Sequence, residues 1–239
     1  MCGRIAQYRA MASYLEALQP DLPVINGYDD VPLSRYNVAP GTRVQILHDG
    51  GQGLRIDAVN WGWQPFWARG KKRPPINARI ETITGTAYYR PLWPTKGRAL
   101  VPADAWYEWV TGPNHSAQHP DKQPYLIRLK TDEPMFFAAL AQVHEDIEHQ
   151  EGDGFVIITG ASDQGMVDIH DRRPLVLAAD EARRWLNPTL TGAEAEQIAL
   201  KDGRPVDEFE WFPVGKAVGS HKNQGPELIQ PMASDFNKP

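Results

Sequence analysis

Residues 100–110 read LVPADAWYEWV, a run rich in aromatic and β-branched side chains that predicts a strand. Working outward from it, residues 55–63, 125–130, 135–143, 155–159 and 174–177 share that composition and are predicted as strands too, with 208–212 a later candidate. Helical spacing is scarcer. Met11, Tyr14, Leu15 and Leu18 recur on one side of residues 9–19, which predicts an early amphipathic helix. Residues 182–186 and 193–200 predict short helices, the second behind a Thr191-Gly192 start. Strands outnumber helices and follow one another directly, so the expected fold is α+β: a single domain with a mainly antiparallel, barrel-like β core and short flanking helices. The 21 prolines and 20 glycines cut these elements into short pieces, and residues 112–123 read as a polar surface loop. With no repeat, low-complexity block or linker, the domain is expected over residues 1–231, with 232–239 a frayed, disordered tail.

The chain has 239 residues, 41% hydrophobic and 23% charged, enough for a substantial buried core. No run approaches about 18 uninterrupted apolar residues, and no basic segment followed by an apolar run opens the chain. The expectation is a cytoplasmic, bacterial, nucleoid-associated protein without membrane contact, and a monomer. A single cysteine excludes an internal disulfide. The net charge of −5 argues against broad coating of nucleic acid, which needs an excess of Lys and Arg. A local basic groove remains open, because Arg69, Lys71, Lys72, Arg73 and Arg79 cluster while residues 145–153 are acidic.

That cysteine is Cys2. Methionine is normally trimmed before a small second residue, and trimming would leave a thiol and a free α-amine on adjacent carbons. An amine of reference pKa about 7.7–8.0 is partly an uncharged nucleophile near neutrality. It adds to an aldehyde to give a Schiff base, and the neighbouring thiol can close on that carbon to form a five-membered thiazolidine. Gly3 and Arg4 place a flexible joint and a cation directly behind the thiol, where a cation favours thiolate or holds a phosphate. Position alone also suits a small apolar residue tucked under the first strand. His115 and His119 are separated by four positions, but Pro113 and Pro120 oppose a helix there, and His144 and His149 lack the spacing of a zinc protease. No metal and no nucleotide cofactor is expected.

Six segments, MCGRIAQY (1–8), RYNVAPGT (35–42), INARIET (76–82), WYEW (106–109), ITGASDQGMVDIHDRRPLVL (158–177) and VGSHKNQGPELIQP (218–231), together resemble the motifs of the SOS response-associated peptidase (SRAP) family, in order along the chain. The resemblance implies the SRAP fold. It also implies sensing of abasic sites in single-stranded DNA, and at single/double-strand junctions, through a thiazolidine DNA–protein crosslink on Cys2. By the same resemblance Glu108 shuttles protons during sugar ring opening and Schiff-base formation, and an apolar surround raises a carboxyl pKa in the direction such work needs. His170 is implied as the histidine that protonates or hydrogen-bonds the opened sugar, and Asn77 as the amide that orients Cys2 and the sugar. Read locally, Glu108 is equally an exposed strand residue, His170 a loop histidine and Asn77 a turn or cap. Arg4, Arg79 and Arg172 match the family's phosphate contacts. Phe66 and Trp67 match its base-stacking loop, whereas Trp61 and Trp63 are expected in the core. Pro40 and Thr159 match positions near the DNA, with loop shape and backbone support the alternative roles; Asn37 is included with them, or is a turn residue. Competing functions are a thiol peptidase using Cys2 with Glu108 or His170 as base, and a noncovalent single-strand-binding module in which Cys2 is dispensable. Strand cleavage by β-elimination from the Schiff base is an expected side reaction.

Overall fold

The stretch 100–110 folds as two strands rather than one, and the break between them organises the molecule. A computed structural model describes residues 2–70, 72–93, 97–112, 116, 121–144 and 152–232. In chain order these form β1 (Ile5–Gln7), α1 (Met11–Leu18), β2 (Arg35–Val38), β3 (Arg43–Asp49), β4 (Leu54–Asn60), β5 (Asn77–Arg79), α2 (Ile80–Ile83), β6 (Arg98–Ala103), β7 (Ala105–Thr111), β8 (Lys122–Leu129), β9 (Met135–Gln142), β10 (Gly154–Ala161), β11 (Arg172–Pro174), β12 (Val176–Leu177), α3 (Ala179–Leu186), α4 (Gly192–Lys201) and β13 (Phe209–Pro213), with short 3₁₀ turns between. Asp104 sits alone between β6 and β7. Its buried carboxylate accepts from the Tyr8 and Arg9 main-chain N–H groups, Arg9 Nε (2.7 Å) and the Tyr14 hydroxyl (2.5 Å). That cluster pins the corner at which the chain leaves one sheet for the other.

One sheet runs β13-β8-β7-β1-β2 and the larger one β11-β10-β9-β6-β3-β4, with β12 against β9 and β5 against β10. The strand pairs are antiparallel except β5 with β10. Among the described residues neither sheet closes on itself, so the core is two open sheets rather than a closed barrel.

Alternation of side chains along each strand sorts residues into layers. Val101, Phe137, Ala139 and Ile157 of the large sheet meet Ile5, Trp106, Ile127 and Phe209 of the small one. Their neighbours Leu100, Ala138, Leu140, Val156 and Ile158 face the other way, against Tyr14 and Leu18 of α1, Trp185 of α3 and Ile198 of α4. The outer face of the small sheet packs Ala105, Tyr107 and Leu126 under Val214, Val218 and Leu228 of the C-terminal segment. Strands buried on both faces, such as β9 (MFFAALAQ), are therefore continuous apolar runs. Trp61 and Trp63 are core residues. Helix α4 opens on a reciprocal cap: the Thr191 hydroxyl accepts from Glu194 N–H and the Glu194 carboxylate from Thr191 N–H. Among the described residues no helix is long and apolar enough to cross a membrane. His115, His119, His149 and most of the tail lie outside the described residues, as does much of the loop after β7.

Candidate active site

Three very short strands bring the candidate residues together. β1 pairs with β7, Ile5 opposite Trp106, and the Tyr107 N–H donates to the Arg4 carbonyl at 2.9 Å, so residues 2–4 run along β7 toward Glu108. β5 lies parallel to β10, Asn77 opposite Ile157 and Arg79 opposite Thr159. β11 returns antiparallel on the other side of β10, immediately after His170 and Asp171.

Cys2 is fully buried, and its carbonyl accepts a 2.8 Å hydrogen bond from Asn77 Nδ2. The other end of that amide, Asn77 Oδ1, is buried with no partner among the described residues. Burial pushes the Cys2 thiol pKa well up, and the Glu108 carboxylate adds to the effect. Glu108, 4% exposed between Tyr107 and Trp109, has its own pKa pushed up to about 7, chiefly by burial and further by Asp171. Glu108 Oε2 stands 4.0 Å from His170 Nε2. Burial lowers the His170 pKa, so at neutral pH the imidazole is held toward its neutral form. Its Nδ1 accepts the Arg172 main-chain N–H at 3.0 Å, which puts the proton of the neutral ring on Nε2, the nitrogen facing Glu108. Asp171 Oδ1 also lies 2.8 Å from Nδ1 and can accept a hydrogen bond there only when Nδ1 carries a proton, in the charged ring or in the other neutral tautomer.

Glu108 and His170 line an open cleft of about 410 Å³ with Arg4, Trp109, Lys122 and Gly219. Arg4 lies half-buried, its guanidinium carbon 5.6 Å from the Trp109 ring centre. The arrangement offers a carboxyl that is a comparable mixture of acid and base near neutrality, an Nε2–H donor, and cations at the cleft for an anionic ligand.

The remaining candidates divide. Phe66 (78% exposed) and Trp67 (48%) project from a 3₁₀ turn, and Arg79 is exposed two positions beyond Asn77 on the same strand. Pro40 is half-buried in a turn whose Gly41 adopts φ +81° and donates to the Trp61 carbonyl. Three further candidates are buried. Asn37 is neither exposed nor in a turn: it is a buried β2 residue whose Nδ2 donates to the carbonyls of Val218, Ser220 and Asn223 and whose Oδ1 accepts from Arg4. Thr159 is fully buried in β10, its hydroxyl 3.5 Å from the Ala78 carbonyl. The Arg172 guanidinium is held by the protein itself. Nη1 and Nη2 meet the two Glu81 oxygens at 2.5 and 2.9 Å, and Nη2 also reaches the Thr159 carbonyl at 2.6 Å. Glu81, Asp171, Trp109 and Lys122 were not singled out from sequence. Glu81 and Arg172 are 91 positions apart, so no local pattern joins them.

The family model for SOS response associated peptidase (SRAP) matches residues 1–221. The chain is 44% identical over 232 residues to the abasic site processing protein YedK of Escherichia coli (strain K12), covering 97% of this chain and 100% of that protein. It is 33% identical to the abasic site processing protein YoaM of Bacillus subtilis (strain 168), covering 96% and 97%. Among solved structures it resembles a phage-related protein from Bordetella bronchiseptica, with a TM-score of 0.71 and 39% identity over 89% of this chain and 94% of that one.

Proposed function

The chain belongs to the SRAP family, and from that premise we propose that it processes abasic sites in single-stranded DNA by capturing the ring-opened sugar aldehyde on Cys2 after removal of Met1. The observation that carries this reading is the convergence of Cys2, Asn77, Glu108 and His170 beside one cation-bearing cleft.

The Cys2 α-amine adds to the aldehyde carbon to give a carbinolamine. Protonation of its hydroxyl releases water and leaves an imine. The thiol sulfur then adds to the imine carbon, forming the C–S bond, while the thiol proton passes to nitrogen. The sum is aldehyde plus aminothiol giving thiazolidine plus water. Glu108, with a pKa of about 7, has both forms available: the acid protonates the departing hydroxyl, and the carboxylate takes the thiol proton. A thiol with a raised pKa suits an order in which amine attacks first and sulfur second, and it suits poorly a peptidase that needs a standing thiolate. His170 offers Nε2–H to a sugar oxygen, and Asn77 fixes Cys2 through its carbonyl. Arg4 and Arg79 serve neighbouring phosphates. Phe66 and Trp67 stack on a base and oppose a continuing duplex partner, which fits single/double-strand junctions.

The test is a denaturing gel of protein mixed with single-stranded DNA carrying one abasic site. Wild type is expected to give a denaturant-stable adduct. Cys2→Ala and a variant with one residue inserted ahead of Cys2 are both expected to give none, since the ring needs thiol and free amine together. A stable adduct in the insertion variant would overturn the mechanism, and cleavage of a peptide in trans by wild type would favour the peptidase.

A further inference from the structure

Arg172 does two things at once, and Glu81 controls one of them. Its guanidinium, on a side chain only 10% exposed, is held by both oxygens of Glu81 and by the Thr159 carbonyl. Its main-chain N–H is the donor that fixes His170 Nδ1 as an acceptor. Glu81 belongs to α2, which continues directly from β5 and therefore from Asn77, whereas Arg172 begins β11, directly after His170 and Asp171. The ion pair thus bridges, across β10, the segment that holds Cys2 to the segment that presents the imidazole.

We propose that Glu81 is a positioning residue: by clamping Arg172 it holds the Arg172 N–H on His170 Nδ1, keeps the proton of the neutral ring on Nε2 and aims that nitrogen at Glu108. A bidentate carboxylate–guanidinium pair fixes orientation as well as distance, which a single contact does not. Two groups compete for Nδ1. The Arg172 N–H favours an unprotonated Nδ1, and Asp171 Oδ1 favours a protonated Nδ1, in the charged ring or in the other neutral tautomer. Glu108 faces Nε2 from β7, Arg4 and Lys122 lie in the same cleft, and the positive amino terminus opposes protonation of the ring, so the competition is decided inside a defined charge set. Loosening Arg172 hands Nδ1 to Asp171: a neutral ring then carries its proton on Nδ1 and loses the Nε2–H donor, and protonation of the ring is favoured. Lowering of the Glu81 pKa by Arg172 agrees with a standing ion pair at neutral pH.

The role in catalysis rests on the crosslinking function proposed above, but the effect on His170 does not, and the test reads both. The probe is Glu81→Gln in the full chain, with folding checked by thermal unfolding. His170 is titrated by nitrogen-resolved NMR, and single-turnover adduct formation is followed at saturating abasic-site DNA. The expected result is a His170 midpoint moved to higher pH by about half a unit or more, and a saturated rate lower by roughly tenfold to a hundredfold. Adding Asp171→Asn to Glu81→Gln is expected to return the midpoint toward wild type, a response that a general loosening of the fold would not give. Glu81→Asp, which restores the charge, is expected to recover most of the rate. An unmoved His170 midpoint would overturn the proposal, whatever the rate does. So would tighter DNA binding at an unchanged saturated rate, because Glu81 would then only be competing with a DNA phosphate for Arg172. If wild type forms no adduct while the midpoint still moves in Glu81→Gln, the crosslinking reading fails and the clamp stands.

Discussion

Between the two sheets, Trp106 meets Phe137 and Phe209 edge to face, with ring centres 6.0 and 5.4 Å apart, and all three rings are buried and apolar. A few residues along the same strand, past Trp106, the chain buries Glu108 beside a histidine and a thiol instead. The first region is optimised for packing, where apolar area leaves water and interlocking rings add specificity. The second keeps groups whose burial opposes folding: a carboxyl forced toward neutrality and an amide oxygen with no partner among the described residues. The difference teaches where this fold holds its stability and where it gives some up for reactivity.

The largest effect on that comparison comes from the packed side. Phe137→Ala is expected to lower unfolding free energy by about 3–5 kcal/mol, read from the urea midpoint, because the cavity between two rigid sheets cannot collapse. The site side predicts the opposite sign. The folded-state pKa of Glu108 is raised from 4.5 to about 7, so the folded state favours the protonated form; ionising Glu108 costs stability progressively as pH rises through that window. Glu108→Gln is therefore expected to leave stability unchanged near pH 4 and to increase it by about 3 kcal/mol above pH 7.5, while slowing adduct formation. A Gln variant less stable than wild type at pH 8 would erase the contrast. The smallest effect tests a region with neither role. Thr191→Ala removes the α4 cap and is expected to cost about 1 kcal/mol, with adduct rates unchanged.

Much of the fold was legible because burial imposes pattern. β9 and β10 are buried on both sides and read as apolar runs, and α1 shows its buried face at helical spacing. The split of 100–110 was not legible: Asp104 is conspicuous only once Tyr8, Arg9 and Tyr14 are known to surround it. β3 carried a signal that was overlooked, with Val44 and Ile46 alternating into the core. β5 and β11, three residues each, carry none, since so short a strand is dictated by β10 rather than by its own side chains. The four candidate catalytic residues were nameable only through ordered motifs, because the contact between Asn77 and Cys2 spans 75 positions. The same motifs also named Asn37, Thr159 and Arg172, whose side chains are buried and bonded within the protein. A residue that holds the site's frame and one that touches a ligand look alike in sequence, and the long-range hydrogen bonds of Asn37 and Arg172 become visible only in the fold.

Asn37 has a consequence in time rather than space. Its amide gathers the carbonyls of Val218, Ser220 and Asn223, and Arg4 joins the same knot through Asn37 Oδ1 and the Val218 carbonyl. Arg4 is thus locked by a carbonyl 214 positions later in the chain. During synthesis the knot cannot close until residues 218–223 have left the exit tunnel, so Arg4 and the residues beside it stay accessible until then.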